Sequence, residues 1–398
     1  VGGRLETHPG TQIVMQHDAV LRVNANLLDL AGGTFEWVEG QIRFTSNFNV
    51  DSTVSHAPLG NAVTLDAGEE TPFPEAWVQS VVVDGQLGVG TGAGGSLDVD
   101  GGYANSVFGR IGGSGVALQQ ARVTVNSGQS IWSMSQDLTI GTLAANPGAK
   151  LEIFGSGTVS MRNTFTGTTG MKADVTISGA GSALVSTDSV FLGGTNSLGG
   201  GQGTLALTNN GLLSVGNSAG DQLVVWDSYA VTMNQSAINA RNLIVRGSIA
   251  PAVGAVIPGH ITVPGVTIID GGTLTLSAIS SNLIASGNVT IQNGGDLNAY
   301  INGGSGTNVI IAGVGSNWNP PNVVATVLGS TTTGVGRIRS LTLNTGGVAN
   351  LSAGVSYAAG AIDGLTMAGG TLNAPTFNAG NIGVTGRGAI NANYSSSG

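Results

Sequence analysis

Residues 175–217 read VTISGAGSALVSTDSVFLGGTNSLGGGQGTLALTNNGLLSVGN, and short apolar segments alternate in them with Gly, Ser, Thr or Asn. Apolar residues at every second position are typical of β-strands, and clusters of Gly, Asn and Ser are typical of turns. Heptads and helical stripes are absent from the chain. The stretch therefore predicts short strands joined by tight corners.

The same pattern recurs in two other places when the chain is aligned on a serine. Each serine follows a strand-like segment and precedes a large apolar residue by two positions. The aligned pairs are Ser130 with Trp132, Ser182 with Leu184, and Ser316 with Trp318. Two more apolar segments follow each pair, at 138–140, 190–192 and 327–328 and then at 151–153, 205–207 and 341–343. Repetition of one unit at about 20–50 residues indicates a solenoid or a propeller.

The predicted fold is all-β, a right-handed parallel β-helix (β-solenoid) of short strands with Gly, Asn and Ser at its corners. In such a fold each turn of the chain lies over the previous one, so inward aliphatic side chains stack and corners need residues that tolerate positive φ. The right hand follows from the general preference of parallel crossovers. A propeller is the rival, but its blades carry recurrent aromatic motifs and aromatic residues are only 5% here.

The composition excludes several classes of protein. Gly accounts for 67 of 398 residues and charged residues for 9%, while mean hydropathy is +0.24, which argues against disorder. The absence of Cys excludes disulfides and thiolate metal sites. A net charge of −9 argues against nucleic-acid binding, and apolar runs are too short for a transmembrane helix.

The repeats resemble the passenger repeats of bacterial autotransporters and of large bacterial surface proteins sorted by a C-terminal signal. The matching positions are Gly179, Gly181, Ser182, Gly193, Gly203, Thr204, Leu205 and Leu207, and the likeness extends from about Ser80 to Leu351. The resemblance implies a β-helix displayed at the cell surface or outside the cell. It does not imply one activity, because such repeats occur in adhesins, matrix proteins and passengers that carry enzymes.

The best candidate for chemistry is the pair Asp98 and Asp100, which strand alternation places on one outward face. Two carboxylates there can bind Ca²⁺ or a sugar, or they can simply be solvated. Asp66, Glu69, Glu70 and Glu75 are expected in a loop that contains Gly and Pro, and their spacing fits neither an EF-hand nor the calcium-binding nonapeptide of other solenoids. Histidines are scattered, no cofactor is predicted, and Trp132 and Trp318 are expected to pack in the core because Leu184 occupies the equivalent position.

The two ends of the chain differ in charge. Residues 1–80 carry a charge of −7 and form a predicted acidic cap or assembly segment, whereas residues 241–398 carry +2. The repeats are predicted to fill 81–398. An uncapped basic end and an acidic end suit head-to-tail association of copies of the chain.

Three functions follow as hypotheses. The first is a non-catalytic extracellular structural protein that self-assembles, head to tail or laterally, into a bacterial surface filament or matrix. The second is a cell-surface adhesin passenger that binds a glycan or another surface partner. The third is a carbohydrate-active β-helix that uses Asp98 and Asp100.

Overall fold

The computed structural model describes residues 5–17, 19–30, 33–50, 59–66, 78–92, 94–113, 120–143, 148–168, 170–255, 259–276, 282–321, 324–330, 332, 334–358, 364–378 and 384–395. The chain divides into two compact units, unit 1 (Val1–Leu212) and unit 2 (Leu213–Gly398). Within the described ranges the only helical segment is a 3₁₀ turn at Ala25–Leu27, and all other regular structure is β. No helix of these residues is long and apolar enough to cross a membrane.

The strands of unit 1 are short. They are β1 (Leu5–Glu6), β2 (Gln12–Met15), β3 (Val20–Val23), β4 (Leu28–Asp29), β5 (Thr34–Trp37), β6 (Gly40–Phe44), β7 (Phe48–Val50), β8 (Ala62–Asp66), β9 (Gln79–Val89), β10 (Gly95–Asp100), β11 (Tyr103–Ile111), β12 (Ala121–Asn126), β13 (Ile131–Met134), β14 (Leu138–Ile140), β15 (Thr142–Leu143), β16 (Ala149–Ile153), β17 (Thr158–Met161), β18 (Thr164–Thr166), β19 (Met171–Ser178), β20 (Ala183–Ser186), β21 (Val190–Leu192) and β22 (Gln202–Thr208). The next strand, β23 (Leu212–Val215), contains the division between the units.

Unit 2 continues in the same style and finishes with two long strands. Its strands are β24 (Leu223–Val225), β25 (Tyr229–Asn234), β26 (Ser236–Ala240), β27 (Leu243–Val245), β28 (Ser248–Pro251), β29 (Gly259–Val263), β30 (Thr267–Asp270), β31 (Thr273–Thr275), β32 (Asn282–Ala285), β33 (Val289–Gln292), β34 (Asp296–Asn298), β35 (Tyr300–Gly303), β36 (Asn308–Ala312), β37 (Asn317–Trp318), β38 (Thr326–Leu328), β39 (Gly334–Val335), β40 (Ser340–Asn344), β41 (Val348–Asn350), β42 (Val355–Tyr357), β43 (Leu365–Asn378) and β44 (Thr385–Ser395).

In unit 1 the strands stack in three parallel ladders, one for each side of the coil. The first ladder runs β8, β10, β12, β16, β19 and β22. The second runs β6, β9, β11, β13, β17 and β20, and the third runs β7, β9, β11, β14, β18 and β21. Strands one coil apart in sequence therefore lie side by side, which confirms the predicted β-solenoid; its handedness stays a prediction.

Unit 2 repeats this arrangement. One ladder runs β24, β27, β30, β33, β36, β40 and β43, and another runs β25, β28, β31, β34, β37, β41 and β43. The third side includes β26, β29, β32 and β35. A short antiparallel pairing of β35 with β39 interrupts the parallel pattern.

The core of unit 1 is made of aliphatic side chains stacked in register. One such column joins Leu65, Val99, Val125, Ile153, Ile177 and Leu207, each paired with the next and none exposed to solvent. Burial of one such side chain stabilises the fold by about 1.5–3 kcal/mol. The apolar segments named from the sequence all lie in strands, so that prediction is confirmed.

The corners explain the glycines of the opening stretch. Gly181 has φ +83°, and a Cβ added there would lie 2.8 Å from the Ser156 hydroxyl oxygen of the neighbouring coil. At Gly201 an added Cβ would lie only 1.1 Å from the carbonyl oxygen of Gly167. Glycine is required at the first position by conformation and at both positions by the close approach of successive coils.

The three aligned serines make the same pair of hydrogen bonds. Ser182 is fully buried, and its Oγ donates to the Ser178 carbonyl at 2.8 Å and accepts the N–H of Ser156 at 3.1 Å. Ser316 in unit 2 donates to Ala312 O at 2.7 Å and accepts from Gly294 N at 3.1 Å. Ser130 likewise bonds Asn126 O and accepts from Gly101 N at 2.6 Å. Each serine therefore closes its own corner and ties it to the preceding coil.

We expect Ser182→Ala to lower the free energy of unfolding by about 1–3 kcal/mol, because the partly buried Ser156 N–H and Ser178 C=O lose their hydrogen-bond partner. The midpoint of urea unfolding, followed by tryptophan fluorescence, measures this. The matched control is Ser197→Ala, at an exposed corner serine, which should change stability by less than about 0.5 kcal/mol. Equal effects of the two substitutions would contradict the role given to Ser182.

Candidate functional site

The predicted pair Asp98 and Asp100 lies on β10. Both side chains are exposed on the same face of the strand, whereas Val99, which lies between them in the sequence, is buried. The predicted outward alternation is thus confirmed. Neighbouring strands place Thr64 and Thr124 beside Asp98. Asp66 lies beside Asp100, so three carboxylates lie together on β8 and β10.

Charges on this face act on Asp98. Its pKa is raised above the usual value first by burial and then by the negative charges of Asp100 and Glu152, against the opposing effect of Arg122. Arg122 already forms an ion pair with Glu152, in which Arg122 Nε lies 2.5 Å from Glu152 Oε2. Asp98 therefore carries a negative charge that the fold disfavours.

Of the other acidic candidates the structure describes only Asp66, which is the last residue of β8 rather than part of a loop. In the ranges that the structure describes, no three His, Asp or Glu side chains are placed to hold a metal ion. Glu69, Glu70 and Glu75 lie outside the described residues. Binding of Ca²⁺ or a sugar by Asp98 and Asp100 stays a prediction.

The repeat-defining residues are structural. Trp132 pairs through Val159 with Leu184 in one ladder of unit 1, and Trp318 pairs with Leu297 in unit 2. The two tryptophans and Leu184 are at most 1% exposed, which confirms the predicted core packing. Leu205 and Leu207 are fully buried, and Gly179, Gly181, Gly193 and Gly203 all have positive φ.

A second charged cluster lies on unit 2. Arg246 Nε is 2.9 Å from Asp270 Oδ2, and its guanidinium lies 4.5 Å from the centre of the Trp226 ring. Asn293 and Gln292 also donate to Asp270 Oδ1, at 2.6 and 3.2 Å. Burial raises the pKa of Asp270, but these hydrogen bonds and the Arg246 charge outweigh it, so the pKa lies below its usual value.

An asparagine ladder, missed by the sequence reasoning, runs along unit 2. Each side-chain amide donates to the oxygen one coil earlier. The bonds are Asn298 to Thr275 Oγ1 (3.3 Å), Asn319 to Asn298 (3.0 Å), Asn350 to Asn319 (2.6 Å), Asn373 to Asn350 (2.7 Å) and Asn391 to Asn373 (2.7 Å). The signal was present in the sequence, because an asparagine directly follows an apolar residue in five successive coils.

The last coil of unit 2 is the long strand β44. It has 11 residues and pairs in parallel with β43 along one edge, and no other described strand pairs with it. Side chains from Thr385 to Ile390 are exposed. Asn391 is exposed as well, and its Oδ1 accepts no hydrogen bond from a described residue. The second edge of β44 therefore presents backbone groups and a side-chain acceptor.

The first coil of unit 1 has the complementary arrangement. β1 pairs with β4, β2 with β5 and β3 with β6, and each of these partners follows in the chain. No described strand pairs with the other edge of β1, β2 or β3. Exposed residues of this coil include Glu6 and Arg22.

Comparisons with known proteins give little more. No protein-family model matches the chain, and no curated protein matches it. Among solved structures, the TibC-catalyzed hyper-glycosylated TibA55-350 fragment is similar at 15% sequence identity, with a TM-score of 0.45, over 89% of this chain and 100% of that one.

We expect the substitutions Asp98→Asn and Asp270→Asn to change stability in opposite directions at neutral pH, although both remove one negative charge. Asp98→Asn should raise the free energy of unfolding, because the fold disfavours the Asp98 carboxylate. Asp270→Asn should lower it, because the carboxylate is the better partner of Arg246. Chemical denaturation at neutral pH measures both, with Asp227→Asn as the control for an exposed carboxylate.

The pH dependence of the free energy of unfolding tests the direction of the two effects by a second measurement. Stability contributed by Asp270 is present above the unfolded pKa of about 3.9 and is lost as pH falls through its lower folded pKa. The destabilisation by Asp98 grows as pH rises from about 3.9 through its raised folded pKa. Both differences from wild type should therefore shrink in acid, and a pair of variants with the same sign would contradict the assignment.

Proposed function

We propose that the chain is a non-catalytic structural protein of the bacterial cell surface or extracellular space that assembles with copies of itself through its end coils. The observation that carries the proposal is the second edge of β44, which no described strand covers. An uncovered strand of 11 residues is a template for pairing with another chain.

The side chains of the last coil add selectivity to this edge. A strand laid on β44 meets the Oδ1 of Asn391 and continues the ladder only if it brings a hydrogen-bond donor to that position. Acidic or bulky apolar residues there would leave the acceptor without a partner. The edge therefore favours polar strands like those of the solenoid itself.

The first coil of unit 1 offers the matching edge. The strands β1, β2 and β3 expose the edge opposite to the one that pairs with the following coil. Contact of this coil with β44 of a second copy is heterologous, and repetition of a heterologous contact gives an open filament. The charges of −7 on residues 1–80 and +2 on residues 241–398 favour this head-to-tail order.

The adhesin, carbohydrate-active enzyme and lateral-assembly hypotheses stay alternative proposals. An adhesin would use the outward side-chain ladders to bind a surface partner. A carbohydrate-active enzyme would need Asp98 and Asp100 to act on a sugar. Lateral association of copies is a further form of self-assembly.

We expect the wild-type chain to form particles that grow with concentration and shrink as salt is added, because the end contact joins opposite charges. Negative-stain electron microscopy and sedimentation across a dilution series measure both. The double substitution Asn391→Asp with Asn393→Asp places two negative charges at the exposed β44 edge, where they would repel the acidic first coil of the next copy. It should raise the concentration for half-assembly by about tenfold or more.

The matched control is Asn196→Asp with Ser197→Asp, which adds the same charge at an exposed corner of unit 1. This control should assemble like wild type, and circular dichroism should show that both variants are folded. Wild-type protein that stays monomeric at every concentration would contradict the proposal. Equal assembly of the β44 variant and wild type would contradict the assignment of the contact.

A further inference from the structure

A groove of about 300 Å³ lies on the outer side of unit 1, over β11, β14 and β18. Its floor follows one outward ladder, in which Arg110 pairs with Thr139 and Thr139 pairs with Phe165. The residues in the groove come from four successive coils, and three spacings of about 4.8 Å give it a length of about 14 Å. The volume is at the lower end of the range for small-molecule sites.

One end of the floor is aromatic. The Phe165 ring stacks on Phe191 of the next coil, with ring centres 5.3 Å apart and planes within 8°. Phe191 is buried and supports Phe165, which stays half-buried in the groove. The arrangement is a fixed apolar platform.

A second ring, Phe108, lines the same groove and is 44% exposed. It lies on β11 where the register with β9 shifts between Ser106 and Phe108, and it pairs with Gln86. Aromatic side chains combined with a few polar groups are the usual lining of a small-molecule site. The next residue, Gly109, leaves room for the core, because a Cβ there would lie 2.3 Å from Met134 Sδ.

Arg110 supplies a positive charge to the groove. Its Nε donates to the Gly112 carbonyl at 3.2 Å, which fixes the side chain. The described residues give its terminal nitrogens no carboxylate partner, in contrast to Arg43, Arg122 and Arg162 of unit 1. A guanidinium with this freedom binds a carboxylate through two parallel hydrogen bonds.

The other polar side chains of the groove can form hydrogen bonds with hydroxyl groups of a ligand. Asp137 Oδ1 accepts a hydrogen bond from Asn163 Nδ2 at 2.9 Å, and Asp137 lines the groove together with Thr139 and Gln86. A carboxylate accepts hydrogen bonds from the hydroxyls of a sugar, and hydroxyl and amide groups both accept and donate them. An acidic peptide would pair a carboxylate with Arg110, but it would offer few hydroxyls to Asp137, Thr139 and Gln86.

We propose that this groove binds a sugar that carries a carboxylate, such as a uronic or sialic acid unit of a glycan. Arg110 binds the carboxylate, Phe108 and Phe165 pack against the apolar C–H faces of the sugar rings, and Asp137, Thr139 and Gln86 bind hydroxyls. The site is independent of the end coils, so the inference goes beyond the proposed self-assembly.

Isothermal titration of the full chain with trigalacturonate and with sialyllactose tests the proposal, with the methyl esters of both as neutral probes. At least one acid should bind, and its ester should bind about tenfold more weakly. Arg110→Gln should remove this difference between acid and ester. Phe108→Ala should weaken binding of acid and ester alike and, at an exposed position, should leave the unfolding midpoint nearly unchanged.

The matched controls are Arg162→Gln, an exposed arginine outside the groove, and Leu198→Ala, an exposed apolar residue of unit 1 at 58% exposure. Both should bind like wild type. Failure of folded wild-type protein to bind either acid, equal binding of acid and ester, or binding of an acidic peptide in preference to both sugars would overturn the proposal. Assembly of the Arg110 and Phe108 variants should match wild type, so this test and that of the end contact fail separately.

Discussion

The structure depends on the register in which aliphatic side chains stack from one coil to the next. In unit 1 the column from Leu65 to Leu207 excludes solvent only if every coil places its residue over the previous one. A shift by one position would turn outward residues such as Asp98 into the core and expose Val99. The spacing of the corners and the serine that closes many of them are consequences of this requirement.

The outer surface obeys the same repetition with different chemistry. Like side chains placed at strand spacing must share hydrogen bonds or neutralise each other, because stacked like charges repel. Unit 2 uses asparagines for this purpose, and Arg246 with Asp270 shows the charged solution. Where neither device is present, as at Asp98, the negative charge is tolerated rather than stabilised. The low content of charged residues is therefore a property of the ladders.

Much of the fold could be predicted from the sequence, since alternation and glycine corners are local signals. The strands around Ser130, Ser182 and Ser316 lie where the pattern places them. The groove at Phe108 and Arg110 could not be predicted, because it depends on which residues of four coils lie side by side, and coil lengths vary. The asparagine ladder is an intermediate case: its residues follow a rule in the sequence, but their hydrogen bonds appear only once the coils are in register.

The asparagine ladder also has a direction. Every amide from Asn298 to Asn391 donates towards the earlier coil, so the side-chain dipoles are aligned along unit 2. Reversal of one amide alone would place two donors together on one side and two acceptors together on the other. The amides must therefore turn all together or not at all, and the ladder behaves as a cooperative one-dimensional chain. One orientation extends in this way through hydrogen bonds from Asn298, which donates to Thr275, to the carbonyl oxygen that Asn391 presents.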